Sequence, residues 1–486
     1  MMLDDLLEKK EQLELAILRQ LVLAGGTASS HEIRKTVNLS KSAFDMYLED
    51  ISLIGQLMNK KVQIKKQDAQ LVLELSEETS LEQILFFLLE QSIKFQLLLY
   101  LLEHQQVSIV QLSIAFSVSE SSVFRKIKEL NQLLAEFSLQ IKNGQLYGEE
   151  LQVRYFYYVF FQFFPEEKRP EYIKNTPEKR ALIVGLERTL KTTFDSEALK
   201  KIACWVGITR KRLMSEKTTF SQVKEKKQLY QKDALYQALD SVVTLYYSRT
   251  AAEVNAYESL MFYSFFVSFS VLEEEVFYQY DLTRSKKLPT ARLDTYIRET
   301  MLWHYRPRRL KIKEEKKIGY QLAQVNNELY FFQGILTIYD QDNLFGKVTE
   351  MLGKSLIQLL GILEKTVVEQ LLETPPKKAT LDYLMIQYAN ILLMIDYYIA
   401  KIITIGVDLQ GLPIYKLAFH QFLIRELKGI NGITIEKFQE NKEYDLLITF
   451  NQERKQKHSY YLSEFASTYD ILRLKQWIEQ AKKAKN

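Results

Sequence analysis

The chain is poor in the residues that build disulfides, metal clusters and flexible linkers. Its 486 residues include a single cysteine, Cys204, together with 16 glycines and 8 prolines. A disulfide within the chain and cysteine-rich zinc or iron–sulfur sites are therefore excluded. The scarcity of helix breakers excludes collagen-like, linker-rich and largely disordered chains, and it favours a mainly helical fold.

Motifs for catalysis and export are missing as well. The chain has no phosphate-binding glycine loop, no GxSxG and no HExxH, and its histidines are scattered: His31, His104, His304, His420 and His458. The N-terminal MMLDDLLEKKEQLE lacks the apolar region of a signal peptide. The longest apolar runs fall short of the ~18 residues of a membrane helix. We expect a cytoplasmic protein that is not an enzyme and has no metal, cofactor or membrane association.

Charge is unevenly distributed along the chain. The net charge is +4, but residues 1–150 carry 15 lysines and arginines against 21 acidic residues, a net charge of −6. The remainder therefore carries +10. No general basic footprint indicates nucleic acid, so any nucleic-acid contact must come from local patches.

Residues 1–76 have the element order of a winged helix-turn-helix domain. Apolar spacing predicts helices over residues 5–24, 31–37 and 41–54, with Asn38-Leu39-Ser40 as the turn before the last of them. Alternating apolar residues at 62–75, on either side of a Gln-Asp-Ala turn, predict a β-hairpin that would form the wing.

The same order recurs in residues 77–150. Helices at 81–90 and 94–103 precede a helix at 109–116, the turn Ser117-Val118-Ser119 and a helix at 120–136, for which Ser119 is the predicted N-cap. Asn143-Gly144 between alternating residues is the strongest short hairpin signal. We therefore predict two tandem winged helix-turn-helix domains.

The rest of the chain reads as helices followed by a short α/β pattern. Residues 151–285 and 286–397 predict two helical domains, and strands alternating with helices in 398–486 predict a small α/β domain with a parallel sheet. The predicted fold class is therefore a mainly α, multidomain protein. Cys204 lies on an apolar helical face and is predicted to be a core residue.

The second helix-turn-helix carries the best candidates for chemistry. A DNA-reading helix needs short polar or basic side chains near its N-terminus and cations for phosphates. The candidates in the second domain are Ser119, Ser121, Ser122, Arg125, Lys126 and Lys128, with Val123, Ile127 and Leu130 facing the core. The first domain offers Lys41 and Ser42 on its helix and Lys60, Lys61, Lys65 and Lys66 in its wing. An ordinary solvated helix face would look similar, but the tandem pattern favours nucleic acid.

His304 is the one histidine with a suggestive setting, TMLWHYRPRRLK. It could be a phosphoacceptor whose phosphate would meet Arg306, Arg308 or Arg309. It could equally be a half-buried structural histidine, and the sequence leaves both readings open.

Residues 107–164 resemble the Mga/AtxA family of transcriptional regulators from Gram-positive bacteria. The serine-started helix, the run FRKIKELN and the later GEELQVRYFYY carry the resemblance. It implies two helix-turn-helix domains, two helical phosphotransferase regulation (PRD) modules at 151–285 and 286–397, and a C-terminal domain similar to the IIB component of the sugar phosphotransferase system. It also implies activation of virulence and carbohydrate-linked genes, binding to double-stranded DNA and homodimerisation.

Two features depart from a phosphorylated member of this family. Residues 151–303 contain no histidine, so the first PRD module cannot be switched by histidine phosphorylation, which leaves His304. The stretch GVDLQGLP (406–413) lacks the phospho-cysteine of a working IIB domain. The C-terminal domain is therefore expected to serve dimerisation or ligand sensing, with phosphotransferase-system phosphocarrier proteins as further expected partners.

The sequence thus predicts a dimeric, DNA-binding transcriptional regulator. Two alternatives stay open at this point. One is a PRD-containing antiterminator that binds RNA, although such proteins begin with a small β-rich domain. The other is a phosphocarrier of the phosphotransferase system, which the missing cysteine disfavours.

Overall fold

The chain divides into two compact units in a computed structural model. The first unit comprises Met1–Ile297 and Gly319–Tyr388, and the second comprises Arg298–Ile318 and Ala389–Asn486. The structure describes residues 1–59, 61–104, 106–215, 218–249, 256–306, 309–338, 340–352, 354–372, 377–399, 403–409, 413–427, 430, 432–451, 458–463 and 467–485.

The first 76 residues form helices and a three-stranded antiparallel sheet with the strand order β1-β3-β2. The elements are α1 (Lys9–Leu23), β1 (Thr27–Ser29), α2 (Ser30–Thr36), α3 (Lys41–Leu57), β2 (Val62–Gln67) and β3 (Gln70–Leu75). Asp68, with a φ of 54°, allows the tight turn between β2 and β3. The helices and the hairpin predicted for this region are present in the predicted order.

The next region repeats this plan with a shorter wing. Its elements are α4 (Leu81–Leu89), α5 (Ile93–His104), α6 (Ile109–Phe116), α7 (Glu120–Leu134), β4 (Gln140–Lys142) and β5 (Gln145–Tyr147). Strands β4 and β5 pair antiparallel across Asn143-Gly144. Both turn residues have positive φ, 52° and 73°, as a type I′ turn requires, and the predicted hairpin is present.

Helices dominate the chain from residue 150 to residue 399. They are α8 (Glu150–Gln162), α9 (Arg180–Leu190), α10 (Ser196–Arg212), α11 (Ser221–Tyr230), α12 (Ala234–Tyr247), α13 (Glu258–Ser268), α14 (Glu274–Thr283), α15 (Pro289–His304), α16 (Ile312–Phe331), α17 (Gln341–Met351), α18 (Lys354–Leu371) and α19 (Lys378–Ile399). The aromatic helix α8 is buried on nearly all sides, and Cys204 on α10 is buried as predicted. Burial raises the pKa of the Cys204 thiol to about 12, so the thiol stays neutral in the folded protein.

The C-terminal part of the second unit holds a four-stranded parallel sheet with the strand order β7-β6-β8-β9. Its elements are β6 (Ile403–Asp408), α20 (Pro413–Leu427), β7 (Ile433–Lys437), β8 (Leu446–Thr449), β9 (Ser459–Tyr461) and α21 (Thr468–Lys485). The inward side chains of β6 pack with Leu423 and Leu474 of the two helices. The predicted mainly helical, multidomain fold with a small parallel sheet is confirmed. The PRD and IIB assignments stay predictions.

The two helix-turn-helix domains share one continuous hydrophobic core with the helical residues that follow them, as far as Leu336. Polar contacts join them as well. Lys94 Nζ, in the second domain, donates to the carbonyl oxygens of Asp5 and Leu7 at 2.6 and 2.8 Å. The hydroxyl of Tyr157 on α8 donates to the carbonyl oxygen of Leu98 on α5 at 3.0 Å. These contacts fix the orientation of both domains within the first unit.

Helix α16 carries a carboxyl group without a cationic partner among the described residues. The Glu328 carboxyl is enclosed, although part of the residue reaches the surface, and it accepts hydrogen bonds from Tyr155 at 3.3 Å and Tyr383 at 3.5 Å. Burial raises the pKa of Glu328 to about 7, and the two tyrosine hydroxyls offset only part of that effect. Folding therefore favours the neutral form of this carboxyl group.

Replacing Glu328 by glutamine is expected to stabilise the protein above pH 7. Between pH 4.5 and about 7 the folded carboxyl keeps a proton that the unfolded chain has released, so its presence makes stability fall as the pH rises. E328Q should gain about 1–3 kcal/mol at pH 8 and little at pH 5, measured by urea denaturation. Equal gains at both pH values would contradict ionisation as the cause. Burial also raises the pKa of Glu14 to about 7. The variant E14Q therefore tests how much of the pH dependence of stability that remains in E328Q comes from Glu14.

Within the part of the chain that the structure describes, no single helix has both the length and the hydropathy to cross a membrane. Only α4 and α5 taken together meet those criteria, and a bend of 70° separates them.

Candidate nucleic-acid interface

Helix α7 begins at a cluster of serine hydroxyls. Ser119 caps the helix by accepting a hydrogen bond from the backbone N–H of Ser122 at 3.3 Å. Its Oγ also lies 3.0 Å from Ser121 Oγ and 3.1 Å from Ser122 Oγ. The preceding turn is fixed because Ser117 adopts a left-handed conformation and Ser113 Oγ donates to the Val118 carbonyl at 2.7 Å. The predicted N-cap is confirmed, and several short hydroxyl groups meet at the start of the helix.

One face of α7 is buried and the opposite face is exposed and polar. Val123, Leu130 and Leu134 lie in the core. The exposed face presents Ser121, Arg125, Lys128 and Gln132, which are spaced three or four residues apart. Within the described residues neither Arg125 nor Lys128 forms an ion pair, so both cations are available to an external anion.

Lys126 does not belong to that exposed face. Its side chain is 8% exposed, and its Nζ lies 2.6 Å from Glu8 and 3.1 Å from Glu129. Glu8 directly precedes α1, so this ion pair links α7 of the second domain to the first domain. The physical reason is the helical period: position 126 lies three residues after Val123 and four before Leu130, in the buried stripe. The interface is therefore better described without Lys126.

The second wing is locked to α7 by one side chain. Asn131 donates from Nδ2 to the Ile141 carbonyl at 3.1 Å and accepts from the Ile141 N–H at 2.6 Å. At the tip of the wing, a Cβ on Gly144 would lie 1.6 Å from the carbonyl oxygen of Val107, so only glycine fits there. The wing also exposes Lys142, which is not among the DNA-binding residues predicted from the sequence. A lysine directly before an Asn-Gly turn was the available signal.

The first domain presents a weaker face for an anion. Ser40 caps α3 by accepting from the Ala43 N–H at 3.3 Å, which leaves Lys41 and Ser42 exposed at the helix start. Further along the exposed side, however, the helix presents Met46, Glu49 and Leu53. The single cation of α3, Lys41, therefore lies in the first turn, where it could meet a phosphate.

The first wing holds exposed lysines that already have acidic neighbours. Lys65 Nζ lies 2.7 Å from Glu74, and Lys66 Nζ lies 3.3 Å from Asp45. Lys61 is exposed too, while Lys60 lies outside the described residues. Exposed pairs of this kind contribute little stability, so these lysines can exchange their partners for phosphates.

His304 is the last residue of α15 and is half-buried, with its ring 5.4 Å from that of Tyr305. Arg306 and Arg309 are exposed nearby in the sequence, and Arg308 lies outside the described residues. Phosphorylation of His304 stays a prediction. In the stretch 406–413, residues 410–412 also lie outside the described part of the chain.

Comparison with known proteins agrees with the geometry of the second domain. Residues 77–161 match the family model of the Mga helix-turn-helix domain. The match begins where the second domain was predicted to begin and extends through α4–α7 and the wing to nearly the end of α8. No match was found among the curated proteins.

The matched residues include the whole of α7, its serine cap, its two available cations and the wing that Asn131 holds. The family match and the exposed polar face of α7 both indicate that this domain binds DNA. The predicted resemblance is confirmed for this domain: the chain carries a Mga helix-turn-helix domain, which makes it a DNA-binding transcriptional regulator.

Proposed function

We propose that α7 enters the major groove of duplex DNA. In this arrangement the hydroxyls of Ser119, Ser121 and Ser122 meet base edges or the backbone at the helix start, and Arg125 reaches a base or a phosphate. Lys128 binds a phosphate one turn later. The observation that carries the proposal is the exposed face of α7, where Arg125 and Lys128 are unpaired by any described residue.

The first domain is proposed to add backbone contacts rather than sequence reading. Lys41 and Ser42 lie at the start of α3, and Lys61, Lys65 and Lys66 lie on or beside the first wing. Lys60 adjoins them in the sequence. Cations at a wing suit phosphates, and their effect is independent of base sequence. The acidic and apolar residues further along α3 are unsuited to base contacts, which supports a role for the first domain in binding the DNA backbone and leaves sequence reading to α7.

Homodimerisation is proposed to supply the affinity that one chain lacks. The net charge of −6 over residues 1–150 predicts modest affinity for DNA from a single copy. A dimer presents four helix-turn-helix domains, and simultaneous binding raises the effective concentration of each. We propose a cytoplasmic activator of virulence or carbohydrate-linked genes, with phosphotransferase-system phosphocarriers as further partners.

Sedimentation of the full chain with a fluorescent duplex of ~40 base pairs, over a salt series, tests the proposal. A dimer whose affinity for the duplex falls steeply with salt is expected. Absence of binding to the duplex at low salt would contradict the proposed DNA-binding function. Competition with unlabelled RNA of equal length separates the antiterminator alternative, because an antiterminator would release the duplex in favour of RNA.

Replacing Lys126 by methionine is expected to leave the salt dependence of DNA binding unchanged. The buried Lys126 pairs with Glu8 and Glu129, so its removal should cost about 1 kcal/mol of stability and no phosphate contact. K128M is the matched control, two residues away and exposed, and it should lower the salt slope by about 1. A slope reduction of that size in K126M would show that Lys126 leaves its partners to bind DNA.

A further inference from the structure

The exposed side of α7 carries one large apolar residue, Phe124. Its side chain is 57% exposed, whereas Val123 beside it is fully buried. Phe124 is the fifth residue of the helix, three after Ser121 and four before Lys128, so it lies along the same exposed face. It therefore stands in the first two turns of the helix, the part of a recognition helix that approaches base edges.

The surroundings of Phe124 leave one side of the ring open. On the wing side it lines a hollow of about 560 Å³ together with Ile127, Ile141 and Asn143. Neither the core nor the wing covers it, so the ring remains in contact with water when no ligand is bound. Docking of α7 against another surface would remove that apolar area from water, which is a favourable change.

The major groove offers a matching apolar group. Among the four bases only thymine carries a C5-methyl group there, and apolar side chains contact it. On the basis of the DNA-binding mode proposed above, we infer that Phe124 contacts thymine C5-methyl groups and gives this regulator a preference for thymine beside the bases that Arg125 and Ser121 approach. Phe124 is thus a specificity-determining residue, while Arg125 and Lys128 supply charge.

Deoxyuridine provides a test that changes the methyl group alone. Two duplexes of the same alternating A·T sequence are compared: one contains thymine, and in the other deoxyuridine replaces every thymidine. The replacement removes the C5-methyl groups and preserves all polar groups of the major groove. Wild-type protein should bind the thymine duplex about four-fold more tightly for each methyl group it contacts. The salt slope should be the same for both duplexes, because phosphate contacts do not depend on the methyl group.

Variants assign the preference to the residue. F124A should bind both duplexes equally, and F124L, which keeps an apolar side chain, should retain part of the preference. L245A is the matched control, since Leu245 is an exposed apolar residue on α12, outside the helix-turn-helix domains. A duplex of G·C pairs should gain affinity for the wild type, and not for F124A, when cytosine is replaced by 5-methylcytosine.

The outcomes separate this inference from the proposed function. Equal binding of thymine and uracil duplexes by the wild type overturns the inference and leaves DNA binding standing. A preference that persists in F124A overturns the assignment to Phe124. Failure of the wild type to bind either duplex at low salt overturns the proposed DNA-binding mode, and the inference with it.

Discussion

Replacing both Arg125 and Lys128 by alanine is expected to lower the affinity for duplex DNA about 100-fold at physiological salt. Both side chains lie on the exposed face of α7, and within the described residues neither forms an ion pair that it would have to give up. Loss of an arginine that contacts a base costs about 1–3 kcal/mol, and a phosphate-binding lysine contributes through counterion release. Fluorescence anisotropy of a labelled duplex across a salt series measures both effects.

The salt slope distinguishes the two roles within that pair. R125A alone should change the ranking of duplex sequences if Arg125 contacts a base, while K128A should weaken all sequences alike and reduce the slope by about 1. The double variant R188A/K232A removes the same charge from exposed positions in the helical region and serves as the control. Equal losses in the control and in R125A/K128A would mean that net charge, rather than α7, governs binding.

Much of the helix-turn-helix plan follows from local signals in the sequence. The serine at position 119, the apolar stripe of Val123 and Leu130, and the Asn143-Gly144 turn each act within a few residues. Their effects on caps and turns are therefore independent of the rest of the fold. For this reason the sequence predicts both the reading helix and the wing that flanks it.

The role of Lys126 depends on a contact that the local sequence does not contain. Its partner Glu8 lies 118 residues earlier in the chain, and only the packing of the two domains brings them together. The helical period did hold a clue, since position 126 falls in the stripe formed by Val123 and Leu130. Composition pointed the other way, because a lysine beside an arginine is typical of an exposed basic patch.

Phe124 and Asn131 show the converse limit. A phenylalanine in an amphipathic helix reads as a core residue, and its exposure becomes apparent only once the turn and wing are in place. Asn131 reads as a surface residue, yet its amide makes two hydrogen bonds to the wing backbone. Both assignments need the relative position of α7 and β4, which is a tertiary property.

The cluster at the start of α8 illustrates the same limit at larger scale. Glu150 and Arg154 are four residues apart, a spacing typical of an exposed helix pair. In the fold both are buried and two distant partners join them. Arg154 donates to Glu258 at 2.6 and 2.7 Å and to Glu150 at 2.9 Å, while Arg212 lies 2.8 Å from Glu150. This network ties α8 to α10 and α13.

Replacing Arg154 by methionine is expected to destabilise the first unit by about 3–5 kcal/mol, since it leaves a buried carboxylate without its counterion. The Arg154 guanidinium is enclosed, and the neighbouring Glu258 and Glu150 carboxylates hold its pKa well above the ordinary range. Arg212 still neutralises Glu150 in the variant, so the main penalty falls on Glu258. Urea denaturation followed by tryptophan fluorescence measures the loss, because Trp205 on α10 is fully buried in the folded first unit.

A second substitution separates lost charge pairing from lost packing. R154M/E258L removes both partners of the bidentate pair and should recover a large part of the stability that R154M loses, since replacing a buried ion pair with apolar residues is often neutral. R188M, which alters an exposed arginine, should leave the denaturation curve unchanged. If R154M/E258L is less stable than R154M alone, the unpaired carboxylate of Glu258 is not the cause of the loss in R154M. The network would then stabilise the helices around α8 through packing and hydrogen bonding.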